Sequence, residues 1–462
     1  MLRDSPIDLR ATAGNRTLLT ALVGIAVAVA FADSAIVVLA LPELYVRLHT
    51  SIEGVSWVIT AYNAAVAAAA LGLVFFVHRF RATPVLATGL LVFLGASVGC
   101  ALADGLATLV AARSVQGLGA ALLLAGALPV LGALTGSPQR GAAVWTLTGT
   151  FGVALGPALG GVLTQAFDWR AIFVAQAPVA GLALLATIGA HVGLTAGEGW
   201  VRPLVRTVPA NLCLGLVFGA LVGALFLAVL LVITVWGHEP LAGAGIVSVL
   251  PATTLAVRPL ERRLESGLAL CGGAALLALG LVALALLPAS SPAYACPALA
   301  LCGAGLGLVV PVLSARTLDP EAGLTRSGTL TVGVRHLGLV AALGVVAVLL
   351  GSGLPPAGDR AMLQATAVIL DAPIGLDQKV PLALDLEQAF GRAQEGEVPD
   401  LAEPFDRRGA QDDEQLAAVR DQLVGSIEAT LTRAFRPAFF VCAGFAAAAM
   451  IAGFLFRRRR LV

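Results

Sequence analysis

The sequence predicts an all-α polytopic membrane protein of twelve spanning helices, arranged as two six-helix pseudo-repeat bundles with an extracytoplasmic insert between the last two spans. Three observations carry that prediction. Of 462 residues, 58% are hydrophobic and only 12% charged, about half the charged fraction of a soluble domain. Uncharged apolar runs repeatedly reach the roughly 20 residues that a helix needs to cross hydrocarbon. A polar join at about 194–208 then divides those runs six and six, a layout expected of paired repeats with a site between them.

The spans fall at about 18–41, 55–77, 83–103, 106–134, 140–165, 171–193, 209–236, 241–257, 267–288, 293–315, 327–351 and 435–456. The eighth is short and interrupted by Pro251. This gives an N-terminal bundle at 1–193, a cytoplasmic linker at 194–208, a C-terminal bundle at 209–354, an insert at 355–433, and a last helix with a basic tail at 434–462. Arginine placement sets the orientation. With the N-terminus inside, the cytoplasmic side collects Arg3, Arg10, Arg16, Arg79, Arg81, Arg140, Arg202, Arg206, Arg258, Arg262, Arg263, Arg316, Arg326 and Arg457 to Arg460, while the short outer loops carry only Arg47 and Arg170. Both termini are therefore expected in the cytoplasm, across a bacterial cytoplasmic membrane. The polar N-terminus has no small-residue cleavage site after a short apolar run, so the first span is read as a retained helix.

The insert carries fifteen acidic and seven basic residues, a net charge of −8. Leu416, Val419, Leu423, Ile427 and Leu431 recur at helical spacing, which predicts an amphipathic helix running into the last span. Met362, Leu363, Val368 and Ile369 mark a second candidate helix.

One stretch of the fifth span organises the N-terminal half. Gly152, Gly156 and Gly160 stand at i, i+4 and i+8 and form a smooth face that lets a neighbouring helix approach closely in a bilayer. Pro157 adds a kink or weak point. The face reads either as a bendable element of a transport cycle or as ordinary small-residue packing.

Few polar groups sit in hydrocarbon. Asp33 is the only acid well inside a span of the N-terminal half. A carboxylate there is costly to ionise and tends to take a proton, so Asp33 reads as a proton-coupling group or as a hydrogen-bonded structural residue. Arg113, followed by Gln116, Gly117 and Gly119, needs a partner in the membrane. Asp33 is the obvious one, and a snorkelling position near the surface is the alternative. Arg335 and His336 form the comparable polar spot of the C-terminal half and could face a central cavity or lie near the cytoplasmic interface; Asn63 and Gln176 are further cavity candidates. Trp57, Tyr62 and Trp145 are assigned to interfacial belts or packing.

Other classes of function find no support. There is no GxxxxGK[ST], no HExxH, no Gly-x-Ser-x-Gly in a strand–helix context and no basic patch with interleaved aromatics, so neither nucleotide hydrolysis, other catalysis nor nucleic-acid binding is indicated. The six cysteines lie in apolar runs without metal-ligand spacing and read as small core residues.

These residues resemble a known family. Arg113-Ser-Val-Gln116-Gly117-Leu-Gly119 resembles the fourth-helix motif of the major facilitator superfamily, and Gly152 to Gly161 is similar throughout to the G-x-x-x-G-P-x-x-G-G motif of its drug:proton antiporters. Ala32 to Pro42, Ser56 to Tyr62 and Asp168 to Phe173 resemble motifs of the first, second and sixth helices. The likeness is dense over 30–180 and rests on layout beyond, where the long loop before the last helix resembles actinobacterial-type members. It implies a multidrug-efflux antiporter rather than an enzyme. Asp33 and Arg113 would serve in proton coupling, and Gly152, Gly156, Pro157, Gly160 and Gly161 would form the antiporter hinge. The driving force would be the proton gradient, with no cofactor. The partners would be the bilayer and a small hydrophobic or amphipathic substrate, with an extracytoplasmic partner at 355–433 as an option. Export of an envelope lipid or native metabolite, and a non-transporting receptor or scaffold, are the alternatives. One departure stands out: the family's loop G-x-x-x-D-R-x-G-R corresponds here to Val74, His78, Arg79, Arg81 and Ala82, which lack the aspartate and both glycines.

Overall fold

The structure, a computed structural model, describes residues 13–187, 201–319, 323–393, 399, 404–405 and 414–458. Every regular element among these is helical. The N-terminal half comprises α1 (Ala13–Val38), the short α2 (Leu41–Arg47), α3 (Ile52–Phe76), α4 (Ala82–Ala101), α5 (Leu106–Leu134), α6 (Pro138–Ala166) and α7 (Arg170–Thr187). The C-terminal half comprises α8 (Val201–Val229), which continues as a π-helical segment Leu230–Val235, then α9 (Pro240–Ala256), the single-turn α10 (Arg258–Glu261), α11 (Ser266–Ala285), α12 (Pro292–Thr317), α13 (Leu324–Asp371), α14 (Leu376–Arg392), α15 (Glu414–Ala434) and α16 (Arg436–Arg458).

Local chemistry sets the boundaries. Ser51 accepts a hydrogen bond from the Gly54 N–H to start α3, and Ser137 does the same for Arg140 ahead of Pro138, where the missing proline N–H is harmless. Gly136 and Gly323 take positive φ values of 70° and 82° at the turns before α6 and α13, a backbone region that favours glycine. Among the described residues eleven helical stretches are long and apolar enough to span a membrane, and the shorter apolar helix Arg170–Leu185 occupies the place of the expected sixth span.

The two halves repeat one packing plan. In the first, α1 packs on α6, α3 on α5, α4 on α5 and α4 on α7; in the second, α8 packs on α13, α9 on α12, α11 on α12 and α11 on α16. The halves meet through two symmetry-related pairs, α3 with α13 and α6 with α9. Without a hydrophobic drive between helices in lipid, such pairs rely on close van der Waals packing. Accordingly a Cβ on Gly152, Gly156 or Gly160 would meet Ala28 O at 2.1 Å, Ala35 Cβ at 2.8 Å or Ile36 O at 2.5 Å, all on α1. The glycine face predicted on the fifth span is therefore the seat of α1.

Two boundaries differ from the sequence expectation. The seventh span starts at Val201 rather than 209, so the second half of the expected linker is helical and residues 194–200 lie outside the described residues. The eleventh span does not stop near 351. It runs as one helix of 48 residues through Pro355 and Pro356 to Asp371. At 1.5 Å per residue that is about 72 Å, more than twice the hydrocarbon thickness.

Tertiary packing explains the continuation. Ala357, Ala361, Ala365 and Ile369 are buried at i, i+4, i+8 and i+12, and so are Leu416, Val419, Leu423, Ile427 and Leu431 on the adjacent α15. Burial along this face outweighs the local cost of the prolines. The face predicted from Met362, Leu363 and Val368 is only partly involved: Leu363 is exposed, and the alanines supply the contact. The Thr430 hydroxyl donates to Gln364 Oε1 at 2.5 Å, and Leu382 and Leu386 of α14 and Phe405 add to the same core. The predicted helix over 416–431 is present as α15, and the described part of the insert is a packed helical cap.

Candidate functional site

Two sites stand side by side, a buried polar cluster within the N-terminal half and a cavity between the halves. The cluster is built on α1, α3, α4, α5 and α7. Asp33 and Arg113 are both fully buried, and Arg113 Nη1 lies 2.6 Å from Asp33 Oδ2. Gln176 Nε2 donates to Asp33 Oδ1 at 2.9 Å. Arg113 also donates from Nε to the Val58 carbonyl at 2.8 Å and from Nη1 to Gln116 Oε1 at 2.6 Å. Gln116 Nε2 in turn donates to Ser97 Oγ (2.9 Å) and Gln176 Oε1 (2.7 Å). The guanidinium carbon sits 4.4 Å from the Tyr62 ring centroid and 5.6 Å from that of Phe173. A buried pair of this kind survives desolvation only with added hydrogen bonds and good geometry, and the two glutamines and the aromatic faces provide them. The snorkelling alternative for Arg113 is thereby set aside.

The fourth-helix glycines give this cluster room. A Cβ on Gly117 would meet Tyr62 O at 2.4 Å, and one on Gly119 would meet Phe93 N at 2.6 Å. They let α3 and α4 close on α5, which brings Tyr62 and Ser97 within reach of Arg113 and Gln116.

A second polar link crosses the interface between the halves. Asn63 Nδ2 donates to the Ile59 carbonyl at 2.8 Å, which turns its Oδ1 toward Ser34 Oγ (2.9 Å) and His336 Nδ1 (2.7 Å). Both must donate to that oxygen, so His336 holds its proton on Nδ1. Ser34 follows Asp33 in α1, so the interface contact is one residue away from the ion pair.

The cavity has a volume of about 450 Å³. Its walls are the α6 face carrying Trp145, Gly149, Ala154 and Pro157, with α8, α9, α12 and α13 opposite. Arg258, Ser314 and Leu318 line the end of the cavity nearest the start of α13, and that end is taken as its mouth. The other end is sealed. A Cβ on Gly161 would meet Ala244 Cβ at 2.3 Å, and the Leu241 N–H donates to Gln165 Oε1 at 2.7 Å. Glu53 at the start of α3 packs against Gly351 of α13. The cap sits beyond this sealed end.

Of the four residues expected at a cavity, Arg335 lines it. Asn63, Gln176 and His336 do not; they are buried in the contacts above. Trp145, expected in an interfacial belt or in packing, is found in packing. It is buried, stacks edge-on against Phe31 with centroids 5.0 Å apart, and donates from Nε1 to the Leu124 carbonyl at 3.3 Å. Tyr62 is buried as well, whereas Trp57 is exposed. Sequence reasoning missed the aromatic walls Phe31 and Phe218; the readable signal was Thr146, Thr150 and Pro157, spaced along one face of α6.

The last turn of α3 departs from the resembling motif. Val74, at a position where the resembling motif has glycine, is buried with Leu204 of α8 and packs on Leu330 of α13, an apolar contact between the halves near the mouth. On the sealed side, Glu43 Oε2 accepts from the Trp169 N–H at 3.0 Å. Burial pushes the Glu43 carboxyl up from its ordinary range, and Arg47, 3.2 Å away, partly offsets this. Among the described residues no group of acids, histidines and cysteines could hold a metal ion.

Known proteins bear on this arrangement. A family model described as Major Facilitator Superfamily matches residues 23–340. The drug efflux pump JefA of Mycobacterium tuberculosis is 30% identical over 168 residues, 36% of this chain and 33% of that protein. The multidrug resistance protein Stp of the same organism is 30% identical over 179 residues, 38% and 33% of the two chains. The methylenomycin A resistance protein of Bacillus subtilis is 33% identical over 156 residues, 33% and 34% of the two chains. The matched region thus spans about a third of the length of these relatives. Among solved structures, a bacterial homolog to the human lysosomal transporter Spinster, inward-facing and occupied, aligns over 97% of this chain and 98% of its own with a TM-score of 0.63 at 15% identity. A D-xylose-proton symporter aligns over 71% and 89% with a TM-score of 0.57 at 14% identity. These two likenesses speak for the fold alone. With the family model covering more than half of its length and the paired-bundle architecture in place, the chain belongs to the Major Facilitator Superfamily.

Proposed function

We propose that the protein is a proton-coupled exporter of small hydrophobic or amphipathic molecules that works by alternating access in a bacterial cytoplasmic membrane, with both termini inside. The observation that carries this reading is the cavity walled by both halves, open at one end and sealed at the other, beside a buried carboxylate. In this orientation the mouth faces the cytoplasm, and the arginine asymmetry supports it. The relatives' names as efflux and resistance proteins support export.

Coupling would run through α1. Protonating Asp33 removes the counter-ion of Arg113 and leaves a buried guanidinium uncompensated, an unfavourable state that reorganisation relieves. The helix that carries Asp33 rests on the glycine face of α6, and α6 ends in the Gly161–Ala244 contact at the seal. A shift of α1 is thereby tied to the contact that must open. Ser34, Asn63 and His336 link the same helix to α13.

The test is flux in proteoliposomes under an imposed pH gradient, comparing the natural protein with Asp33→Asn. Gradient-driven flux that the substitution abolishes is the expected result. Flux that survives in Asp33→Asn would remove Asp33 from the coupling role.

A further inference from the structure

The cavity has a charge signature of its own. Among the described residues Arg335 and Arg258 are its only charged lining residues, and no acid lines it. The remaining lining is apolar apart from hydroxyls such as Thr150, Thr254, Ser314 and Thr331. A site for organic cations would need the opposite arrangement, a carboxylate among aromatic faces.

Arg335 is held without a counter-ion. Its guanidinium carbon lies 4.5 Å from the Phe31 ring centroid on α1 and 3.8 Å from that of Phe218 on α8. Among the described residues no carboxylate or carbonyl accepts from it, and its Nε is buried without an acceptor. The two rings fix the plane of the group and leave its donors unused. A guanidinium in a low-dielectric cavity without an anion is costly, and its planar fork matches a carboxylate. Arg335 also lies eleven residues beyond the start of α13 at Leu324, about 16 Å along the helix axis. Arg258 lies at the mouth, on α10. The two cations therefore mark an entrance and a deep end.

We infer that the cavity binds amphipathic organic anions, with the apolar body against Trp145, Pro157 and Leu221 and a carboxylate or sulfonate received by Arg335. The inference rests on the export reading for its physiological meaning, but binding can be tested apart from transport. Arg258 then acts as the outer attraction and Arg335 as the anchor. Because Phe31 and Phe218 come from opposite halves, the anchored anion sits on the seam that must open in a rocking movement.

Three matched probes test this: 1-pyrenebutyrate, 1-pyrenebutanol and 1-pyrenebutylamine at pH 7, titrated against the detergent-solubilised full chain by quenching of tryptophan emission. Loss of most of the quench in Trp145→Phe would locate the probe in the cavity. We expect the carboxylate to bind at least about ten-fold tighter than the amine, as a charge-assisted contact predicts. Arg335→Gln should bring the two within about three-fold while the alcohol, which also reports folding, is unchanged; Arg335→Lys should retain part of the preference. The ranking in the natural protein is decisive even if a variant does not fold. Equal or tighter binding of the amine, a preference that survives Arg335→Gln, or no binding of any probe would overturn the inference. Selective binding of the carboxylate with no gradient-driven flux of it would leave the anion site standing and sink the export reading. Flux of the amine or alcohol without anion preference would do the reverse.

Discussion

Gly152 offers the sharpest perturbation of the helix pairing. A Cβ there would lie 2.1 Å from the Ala28 carbonyl oxygen, 2.7 Å from its carbon and 2.9 Å from its Cα. All three atoms are backbone, so no rotamer change relieves the contact. An ordinary carbon–oxygen approach is about 3.3 Å, and α1 and α6 must part by about 1 Å to accept Gly152→Ala. Overpacking of this kind costs about 1–3 kcal/mol, against which alanine returns about 1 kcal/mol of helix propensity. The net destabilisation is about 0–2 kcal/mol by these two magnitudes, toward the upper end because the clash is with backbone atoms that no rotamer change relieves. Gly344 is the control, because open space surrounds the added methyl, so Gly344→Ala should be neutral or stabilising. Thermal unfolding in mild detergent reads both variants. A fall of about 2–4 °C for Gly152→Ala is expected, with gradient-driven flux reduced further, because Asp33 lies five residues on from Ala28 in the displaced helix. If Gly152→Ala matches the natural protein in both readings, the close seat of α1 on α6 is not a constraint on stability or transport.

Three further outcomes follow from the same geometry. Arg113→Ala should destabilise the protein by about 3–5 kcal/mol by leaving Asp33 buried without its partner, and adding Asp33→Ala should recover part of that loss; a double variant no more stable than the single one in detergent denaturation would contradict the pairing. Gly161→Val should pry α6 from α9 at the sealed end, so a cysteine introduced as Leu241→Cys should react faster with a water-soluble maleimide than it does in the Gly161 background, and unchanged labelling would place the seal elsewhere. Leu423→Asp should release α15 from α13, raising hydrogen exchange over 414–434 while α3 and α5 keep their protection; uniform protection would show that the cap holds without this core.

The spans were legible because a bilayer imposes a length and a composition that few other settings impose. The Asp33–Arg113 contact was legible for a related reason: two lone charges in hydrocarbon need partners, and each was the other's best candidate. The glutamines that complete the pair were less so. Gln116 is in a recognisable motif, but Gln176 was assigned to a cavity because sequence gives a polar residue's depth and not its direction. For Trp145 a belt and packing stayed open for the same reason, since an indole near the end of a span looks alike whether it faces headgroups or a neighbouring helix. The length of α13 was hidden by Pro355 and Pro356, which end helices when only local preference acts. What carries the helix through is the alanine face that α15 covers, and small residues leave little trace in a hydrophobic pattern. Arg335 was visible as a charge in a span, whereas the pair of rings that hold it come from helices 187 residues apart in sequence and have no local signature.

The long α13 ties the cavity wall to the cap as one rod. From Arg335 to Asp371 it extends about 54 Å at 1.5 Å per residue, and α15 braces its far portion along the alanine face. Such a rod amplifies angle into distance: a tilt of about 10° at the cavity carries the tip through roughly 9 Å. The cap is held to the same half, α15 packing on α13 and Thr432 hydrogen-bonding with Trp236 and Ser290. In a rocking movement it would travel with the helix that bears Arg335 and His336, so the state of the interior would be displayed, as a displacement of several ångströms, on the far side of the seal.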